Sequence, residues 1–216
     1  MKKHSNIIQK TDEWHQIKHA KIGGTLSAGL YVDSNTLFFE ILSQLSEDYT
    51  KEDDSFINAA MQRGNDLEPV ARQRLEAELG LKFIEYGWLS SGELLGISPD
   101  GLTEDDQTGC EIKCPSAKVH SKYVYEDVIP KDYIHQMIHL FTVNPKLTTN
   151  YFCSFRPENK FHPLFVKKMT LDSMVNIGTE RRPKNVIISD MVKSAKEAAT
   201  LLEAKLNKEI VTLNNF

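Results

Sequence analysis

The stretch GISPDGLTEDDQTGCEIKCP, residues 96–115, places two acidic residues and a lysine on or beside two short strands. Residues 94–98 and 109–114 are predicted strands because they are short, partly apolar and bounded by Gly, Pro, Asp and Ser. The polar run TEDDQTG between them is typical of a turn. Asp100 ends the first strand, so the turn brings the second strand back beside it.

Side chains two residues apart on a strand share a face, so Glu111 and Lys113 point the same way. Cys110, Ile112 and Cys114 then face the other, buried side. Two carboxylates and a backbone carbonyl suit Mg²⁺ or Mn²⁺ better than zinc. Such an ion polarises a phosphoryl oxygen and activates water, and the lysine can orient that water or help to deprotonate it. By spacing alone, Glu111 and Lys113 are equally well explained as a solvated cross-strand charge pair.

The flanking sequence predicts helices on both sides of these strands. Apolar periodicity predicts helices over residues 25–45, 56–79, 117–143 and 191–209, with a break at Pro130. We expect Gly80 to end the second helix, Gly64 to mark a break or close approach, and Pro69 to lie in a first turn beginning near residue 65 or 66. Residues 46–55 are expected to form a loop, and 82–90, 151–155 and 164–169 to form strands. The order indicates an α/β fold, a mixed central sheet flanked by helices.

Composition sets few limits on function. The 216 residues suit a single domain, 1–216, and a net charge of −4 excludes only a protein that is basic over its whole surface. Three cysteines without paired spacing indicate a reducing cytoplasm and are too few for an iron–sulfur centre. No signal peptide or membrane-length apolar run is seen, so a soluble protein that does not bind membranes is expected.

Four passages together resemble the lambda exonuclease (YqaJ-like) viral recombinase family, a branch of the PD-(D/E)xK nucleases. They are GISPDG…CEIKCP, RGNDLEPVAR (63–72), YIHQMIH (133–139) and EWHQIKHAKIGGTLSA (13–28). The resemblance covers a core of about residues 14–169 and leaves 170–216 as a helical extension. It implies a restriction-endonuclease-like PD-(D/E)xK core.

The resemblance also assigns site residues. It implies that Asp100, Glu111 and the Ile112 carbonyl bind the metal, that Glu68 and Gln136 complete the site, and that Lys113 serves the attacking water. It implies a pocket for the DNA 5′ phosphate with the following members: Lys18, Lys21, Thr25, Ser27 and Tyr133. The family usually has arginine where Lys18 stands, and lysine lacks the bidentate fork, so selectivity for phosphate is expected to be looser.

Each of these assignments has a plainer alternative. Glu68 is also typical of a surface carboxylate, Gln136 of a half-buried polar position, and Tyr133 of the core. The 13–28 passage also fits a capped helix with solvated lysines. His135 and His139 have a metal-ligand spacing but no third ligand nearby, so we interpret them as surface or core histidines. Residues 181–184 carry three cations that suit either DNA contact or solvent.

The function implied by the resemblance is a Mg²⁺-dependent 5′→3′ exonuclease, with Mn²⁺ as a substitute cofactor. It would degrade one strand of linear duplex DNA to mononucleotides and leave 3′ single strands for phage recombination. The implied partners are duplex DNA ends and a single-strand-annealing protein, and the implied assembly is a homotrimeric ring in a bacterial cytoplasm. A PD-(D/E)xK endonuclease of restriction or repair type is the alternative, because this scaffold hosts many activities. A non-catalytic DNA-end-binding protein is disfavoured, because the carboxylates and the lysine are all present.

Overall fold

The computed structural model describes residues 1–32, 35–50, 59–179, 181–213 and 215. These residues form nine β-strands, six α-helices and one 3-10 helix. In chain order they are β1 (Lys2–His4), α1 (Asp12–Lys18), a 3-10 helix (Ser27–Tyr31), α2 (Thr36–Leu45), α3 (Ala59–Leu79), β2 (Trp88–Ser91), β3 (Leu95–Ile97), β4 (Gly101–Leu102), β5 (Thr108–Lys113), α4 (Ala117–Glu126), α5 (Lys131–Val143), β6 (Thr149–Phe155), β7 (Leu164–Thr170), β8 (Met174–Asn176), β9 (Asn185–Ile187) and α6 (Ile188–Leu213).

The largest sheet that the structure describes has the order β4-β5-β6-β7. β5 and β6 run parallel, with Lys113 opposite Ser154, and the other neighbours are antiparallel. A second sheet, β1-β2-β3, is antiparallel, and β8 pairs with β9. The α/β fold with a mixed sheet and flanking helices, predicted from the sequence, is confirmed.

The two faces of β5 differ in chemistry, as its alternation predicts. Cys110 and Ile112 are buried with Ala71 and Leu75 of α3 on one side of the sheet. Glu111 faces the opposite side, where α5 lies, since its carboxylate accepts a hydrogen bond from Gln136. β5 therefore packs Cys110 and Ile112 under α3 and presents Glu111 on the side of α5.

α3 is more continuous than the sequence suggested. It runs from Ala59 to Leu79 without a break, so Pro69 lies well inside it and not in a first turn. Gly64 is neither a break nor a point of close approach, because a β-carbon built there would have, among the described residues, no atom within 4 Å other than those of its chain neighbours and its own helix backbone. The prediction for Gly80 is confirmed, since its φ of +66° is the left-handed conformation that ends helices. Residues 56–58 of the predicted helix and 51–55 of the predicted loop lie outside the described ranges.

The predicted helix over residues 25–45 is wrong in its first half. Residues 27–31 form a 3-10 helix, and Val32 is extended with φ −112° and ψ 125° before α2 begins at Thr36. The sequence DSNT at 33–36 is a run of residue types that favour turns and caps over helix interiors, so the sequence itself disfavours one continuous helix here. Residues 33 and 34 themselves lie outside the described part of the chain.

The remaining elements follow the prediction with shifted ends. The break at Pro130 is confirmed between α4 and α5, whereas the strand predicted over residues 82–90 is limited to β2. The short elements β1, α1, β8 and β9 were not predicted. Ile188 and Met191 of α6 belong to the same apolar core as Ile138 of α5. The division into a core of about 14–169 and an extension of 170–216 stays a prediction. No helix among the described residues is long and apolar enough to span a membrane.

Candidate active site

The charged face of β5 carries the centre of the candidate site. It is formed by Asp100, Glu111 and Lys113 and is called the carboxylate centre below. The ammonium of Lys113 contacts Glu111 Oε1 and lies 3.9 Å from Asp100 Oδ2. Asp100, in the turn between β3 and β4, accepts a hydrogen bond of 2.6 Å from the backbone N–H of Ile112. Because a strand residue points its N–H and C=O to the same side, the Ile112 carbonyl faces the Asp100 side as well. The predicted convergence of Asp100, Glu111 and Lys113 is thus present.

Burial dominates the electrostatics of this centre. Burial raises the pKa of the Glu111 carboxyl, and repulsion from Asp100 raises it further, to about 8, against the opposing attraction of Lys113. Burial lowers the pKa of Lys113, but attraction from Glu111 and Asp100 outweighs that effect, so the net pKa is raised. Lys113 is therefore an ammonium ion at neutral pH, which suits it to orient water more than to deprotonate it.

Glu68 approaches the centre from α3. Its side chain is 21% exposed, with the Nη2 of Arg72 3.0 Å from Oε1 and the ammonium of Lys10 3.8 Å from Oε2. Burial raises the pKa of Glu68, as does repulsion from Asp100, while Lys10 and Arg72 oppose the rise. Arg72 also pairs with Glu85 at 2.9 Å, which anchors the arginine that holds Glu68.

Gln136 of α5 joins the centre from the other side. Its Nε2 donates to Glu111 Oε2 at 2.8 Å, so both oxygens of that carboxylate have partners, the other being Lys113. Gly24 packs against the same amide: a β-carbon on Gly24 would lie 2.9 Å from Gln136 Cγ. The glycine thereby leaves room for the glutamine.

The centre has the donors of a divalent-cation site. Asp100 and Glu111 are hard-oxygen ligands, and the Ile112 carbonyl faces the same side. A bound cation would offset the repulsion that Asp100 exerts on Glu111. Within the described ranges, no group of three or more His, Cys, Asp or Glu residues is arranged to hold a metal. Asp100, Glu111 and the Ile112 carbonyl are the groups that could hold such an ion, whereas Glu68 pairs with Arg72 and Lys10.

An open cavity of about 380 Å³, called the lysine-bearing cavity below, lies beside this centre. Three of the predicted phosphate-binding residues line it: Lys18, Lys21 and Thr25. The ammonium of Lys18 lies 3.4 Å from the ring centroid of Trp14, and Lys21 donates to the Glu93 carbonyl at 2.5 Å. Gln136 lines the same cavity, so one side chain belongs both to the cavity and to the carboxylate centre.

The structure does not bring two predicted pocket residues to this cavity. Ser27 is fully buried, and its hydroxyl donates to the Gly24 carbonyl at 2.6 Å, so it fixes the turn from inside. Tyr133 does not line the cavity; its ring is stacked on Phe152, with the centroids 5.5 Å apart, and its centroid lies 5.2 Å from the Lys113 ammonium. The predicted helix N-terminus at the pocket is also replaced by a 3-10 helix of five residues with no side-chain cap.

The two histidines of α5 do not form a metal site. His139 is 1% exposed, and its Nε2 donates to the carbonyls of Ile22 and Gly96 at 2.9 and 3.0 Å. His135 packs against the Tyr31 ring at 4.9 Å. Their interpretation as core and surface histidines agrees with these contacts. Arg181, Arg182 and Lys184 are exposed near β9.

Several cavity residues were not predicted. They come from separate segments and are Gln9, Trp14, Gln44, Trp88, Ile97 and Ser98. Trp14 stands within the quoted 13–28 passage, and its Nε1 donates to Ser98 Oγ at 2.6 Å. The partner of Glu68, Arg72, was not predicted either, although its position four residues later on the helix is a spacing that indicates such a pair. Nothing in the local sequence marks Gln9 or Gln44.

Known proteins resemble this chain in fold and in sequence pattern. The crystal structure of an alkaline exonuclease (LHK-Exo) from Laribacter hongkongensis superposes with a TM-score of 0.73 at 24% identity, covering 95% of this chain and 97% of the other. LHK-Exo in complex with dAMP superposes with a TM-score of 0.68 at 22% identity, covering 95% and 99%. These likenesses establish the fold. No curated protein sequence matches.

The family model decides the family. Residues 13–151 match the model of the YqaJ-like viral recombinase domain, which is more than half of the chain and includes Asp100, Glu111, Lys113, Glu68 and Gln136. The chain therefore belongs to the YqaJ-like viral recombinase family.

Proposed function

We propose that this protein is a Mg²⁺-dependent exonuclease that degrades one strand of linear duplex DNA in the 5′→3′ direction to mononucleotides. The observation that carries the proposal is the position of Gln136, which lines the lysine-bearing cavity and binds the Glu111 carboxylate. A 5′-terminal phosphate in the cavity would therefore present the next phosphodiester to the carboxylate centre. The alkaline exonuclease of the same fold, which has been crystallised with dAMP, supports this reaction class.

The residues divide the work of hydrolysis. Asp100, Glu111 and the Ile112 carbonyl would hold Mg²⁺ or, as a substitute, Mn²⁺, and the bound cation would supply Lewis-acid stabilisation of the phosphoryl oxygens. Lys113, held charged by the two carboxylates, orients the attacking water. Gln136 and Glu68 hold the side chains around the centre in place, since Gln136 binds Glu111 and Glu68 binds Arg72.

The cavity favours an exonuclease over an endonuclease. An endonuclease acts on continuous strands and has no use for a pocket that takes a chain terminus. Lys18 over the Trp14 face and Lys21 beside it supply positive charge to a recess whose other walls, Trp88 and Ile97, are apolar. Such a recess suits a terminal phosphate with its nucleoside better than an unbroken duplex.

The family resemblance extends the proposal to assembly and partners. A homotrimeric ring would keep the enzyme on its DNA between cuts. A single-strand-annealing protein would receive the exposed 3′ strand, as phage-type recombination requires. Sedimentation of the purified protein tests the first of these: a trimer supports it and a monomer contradicts it.

The experiment compares linear duplex with a covalently closed circle of the same sequence. The wild-type protein should shorten the linear DNA in Mg²⁺, act in Mn²⁺, lose activity in EDTA and leave the circle intact. Lys113→Ala and Asp100→Ala should be folded and inactive, because each removes a member of the carboxylate centre. Equal cutting of the circle would agree with the same carboxylate centre but would show that the protein is an endonuclease.

A further inference from the structure

Lys10 holds an unusual backbone conformation at the edge of the proposed active site. Its φ is 68°, in the left-handed region that favours glycine or asparagine. It is the third residue of a turn closed by the N–H of Thr11, which donates to the Ile8 carbonyl at 3.4 Å. A lysine at this position is a strained choice, and strained residues cluster at functional sites.

The neighbouring contacts fix where this turn stands. The amide of Gln9 donates to the carbonyls of Tyr86 and Pro99 at 3.0 and 3.2 Å, and Gln9 lines the lysine-bearing cavity. Since Pro99 precedes Asp100, the turn is tied to the chain that carries a carboxylate of the centre. The turn thus borders both the cavity and the centre.

The side chain of Lys10 extends toward α3. Its ammonium donates to Asn65 Oδ1 at 2.9 Å and lies 3.8 Å from Glu68 Oε2, and the side chain is 52% exposed. Glu68 already has a shorter pair with Arg72, at 3.0 Å. A long ion pair at an exposed position stabilises the fold little, so it does not account for a lysine in a conformation that glycine adopts without strain.

We propose that Lys10 binds a backbone phosphate of the DNA strand that passes from the lysine-bearing cavity to the carboxylate centre. This inference rests on the proposed function, because it needs DNA at both places. Lys10 adds an exposed cation next to Glu68, where the strand's negative charge would otherwise meet a carboxylate, and it stands on the turn whose Gln9 lines the cavity. The residue lies before the 13–151 region that matches the family model.

The test is the salt dependence of DNA binding in EDTA, where no cleavage occurs. A fluorescent 5′-phosphorylated duplex is titrated with wild type, Lys10→Gly and Lys10→Arg. Lys10→Gly removes the charge and relieves the left-handed strain, so its thermal stability should match or exceed that of wild type. The matched control is Lys82→Ala, which removes another lysine paired with a glutamate of α3, Glu76 at 2.9 Å.

The proposal predicts that Lys10→Gly lowers the slope of log affinity against log salt by about one and weakens binding about three- to tenfold at low salt. Lys10→Arg and Lys82→Ala should keep the wild-type slope. An unchanged slope in Lys10→Gly overturns the inference, as does a wild type that binds no DNA. If the wild type binds DNA with this Lys10 dependence but cleaves none in Mg²⁺, the proposed function fails while the phosphate contact stands.

Discussion

At the residue scale, one amide connects two parts of the site. Gln136 donates to Glu111, lines the cavity and packs against Gly24, so its position reports on both the carboxylate centre and the pocket. A neutral amide does this without adding charge to a centre whose charges already interact strongly. Small displacements of this side chain should therefore change the reaction more than the stability of the fold.

Gly24→Ala tests that dependence. The new methyl group would lie 2.9 Å from Gln136 Cγ and 3.3 Å from Cδ, so the glutamine must move. Because a misplaced group near the chemistry is costly, we expect the turnover rate to fall at least about tenfold. The flexible side chain absorbs the clash, so the unfolding free energy should change by less than about 1 kcal/mol.

Gly23→Ala is the matched control, because its β-carbon would meet Trp88 at an ordinary 3.7 Å. We expect it to retain near-wild-type turnover in the same steady-state assay. Equal losses in the two variants would mean that the turn itself, and not the glutamine, is sensitive.

The buried Glu111 predicts a pH dependence for metal binding. Burial, helped by Asp100, raises its pKa to about 8, so a proton competes with the cation below that pH. The apparent affinity for Mn²⁺ should rise with pH, by at most about tenfold per unit, and level off above about pH 8. Calorimetric titrations from pH 6.5 to 9 measure this, and a flat affinity below pH 8 contradicts it. Glu111→Gln should bind weakly at every pH.

At the element scale, β5 and α3 show how far sequence patterns reach. The alternation in β5 placed Glu111 and Lys113 on one face and Cys110 and Ile112 on the other, because a strand's period leaves no choice once one face is buried. In α3, Pro69 led us to expect a helical segment that starts near residue 65 or 66, but the helix is continuous from Ala59. The free-energy cost of a proline inside a helix is outweighed here by the packing of Ala71 and Leu75. The break before α2 was signalled by polar residues 33–36, but the apolar period concealed it.

α5 is fastened to the rest of the protein by a buried imidazole. His139 Nε2 donates to two carbonyls, those of Ile22 and of Gly96 in β3, while its Nδ1 has no partner among the described residues. Burial lowers the pKa of His139 to about 4, from an ordinary 6.5. The folded protein thus keeps the ring neutral where the unfolded chain takes up a proton.

That difference makes stability depend on pH in a defined direction. The contribution is complete above pH 6.5 and is lost as the pH falls toward 4, by about 3 kcal/mol in all. Urea unfolding at pH 7.5 and 5 should show wild type losing about 2 kcal/mol more than His139→Gln, whose amide cannot titrate. Equal losses in both proteins would refute the assignment.

At the scale of the whole molecule, the site is assembled from distant segments. The cavity combines Gln9, Trp88 and Gln136, which meet because β1 pairs with β2 and α5 packs against β2 and β3. The motifs around Asp100, Glu68 and Gln136 could be identified from the sequence, because each consists of a few neighbouring residues. The remaining walls depend on strand pairings such as Lys3 with Leu89, which no local pattern specifies.

The 5′→3′ direction of digestion is the central claim of the proposed function, and end-labelled DNA measures it. Linear duplex carrying a label at either the 5′ or the 3′ end is digested in Mg²⁺, with and without a 5′ phosphate. We predict early release of the 5′ label as a mononucleotide, faster with the phosphate, and loss of that preference in Lys18→Ala because Lys18 lines the cavity. Release of the 3′ label first, or equal rates with and without the phosphate, would contradict the proposed exonuclease.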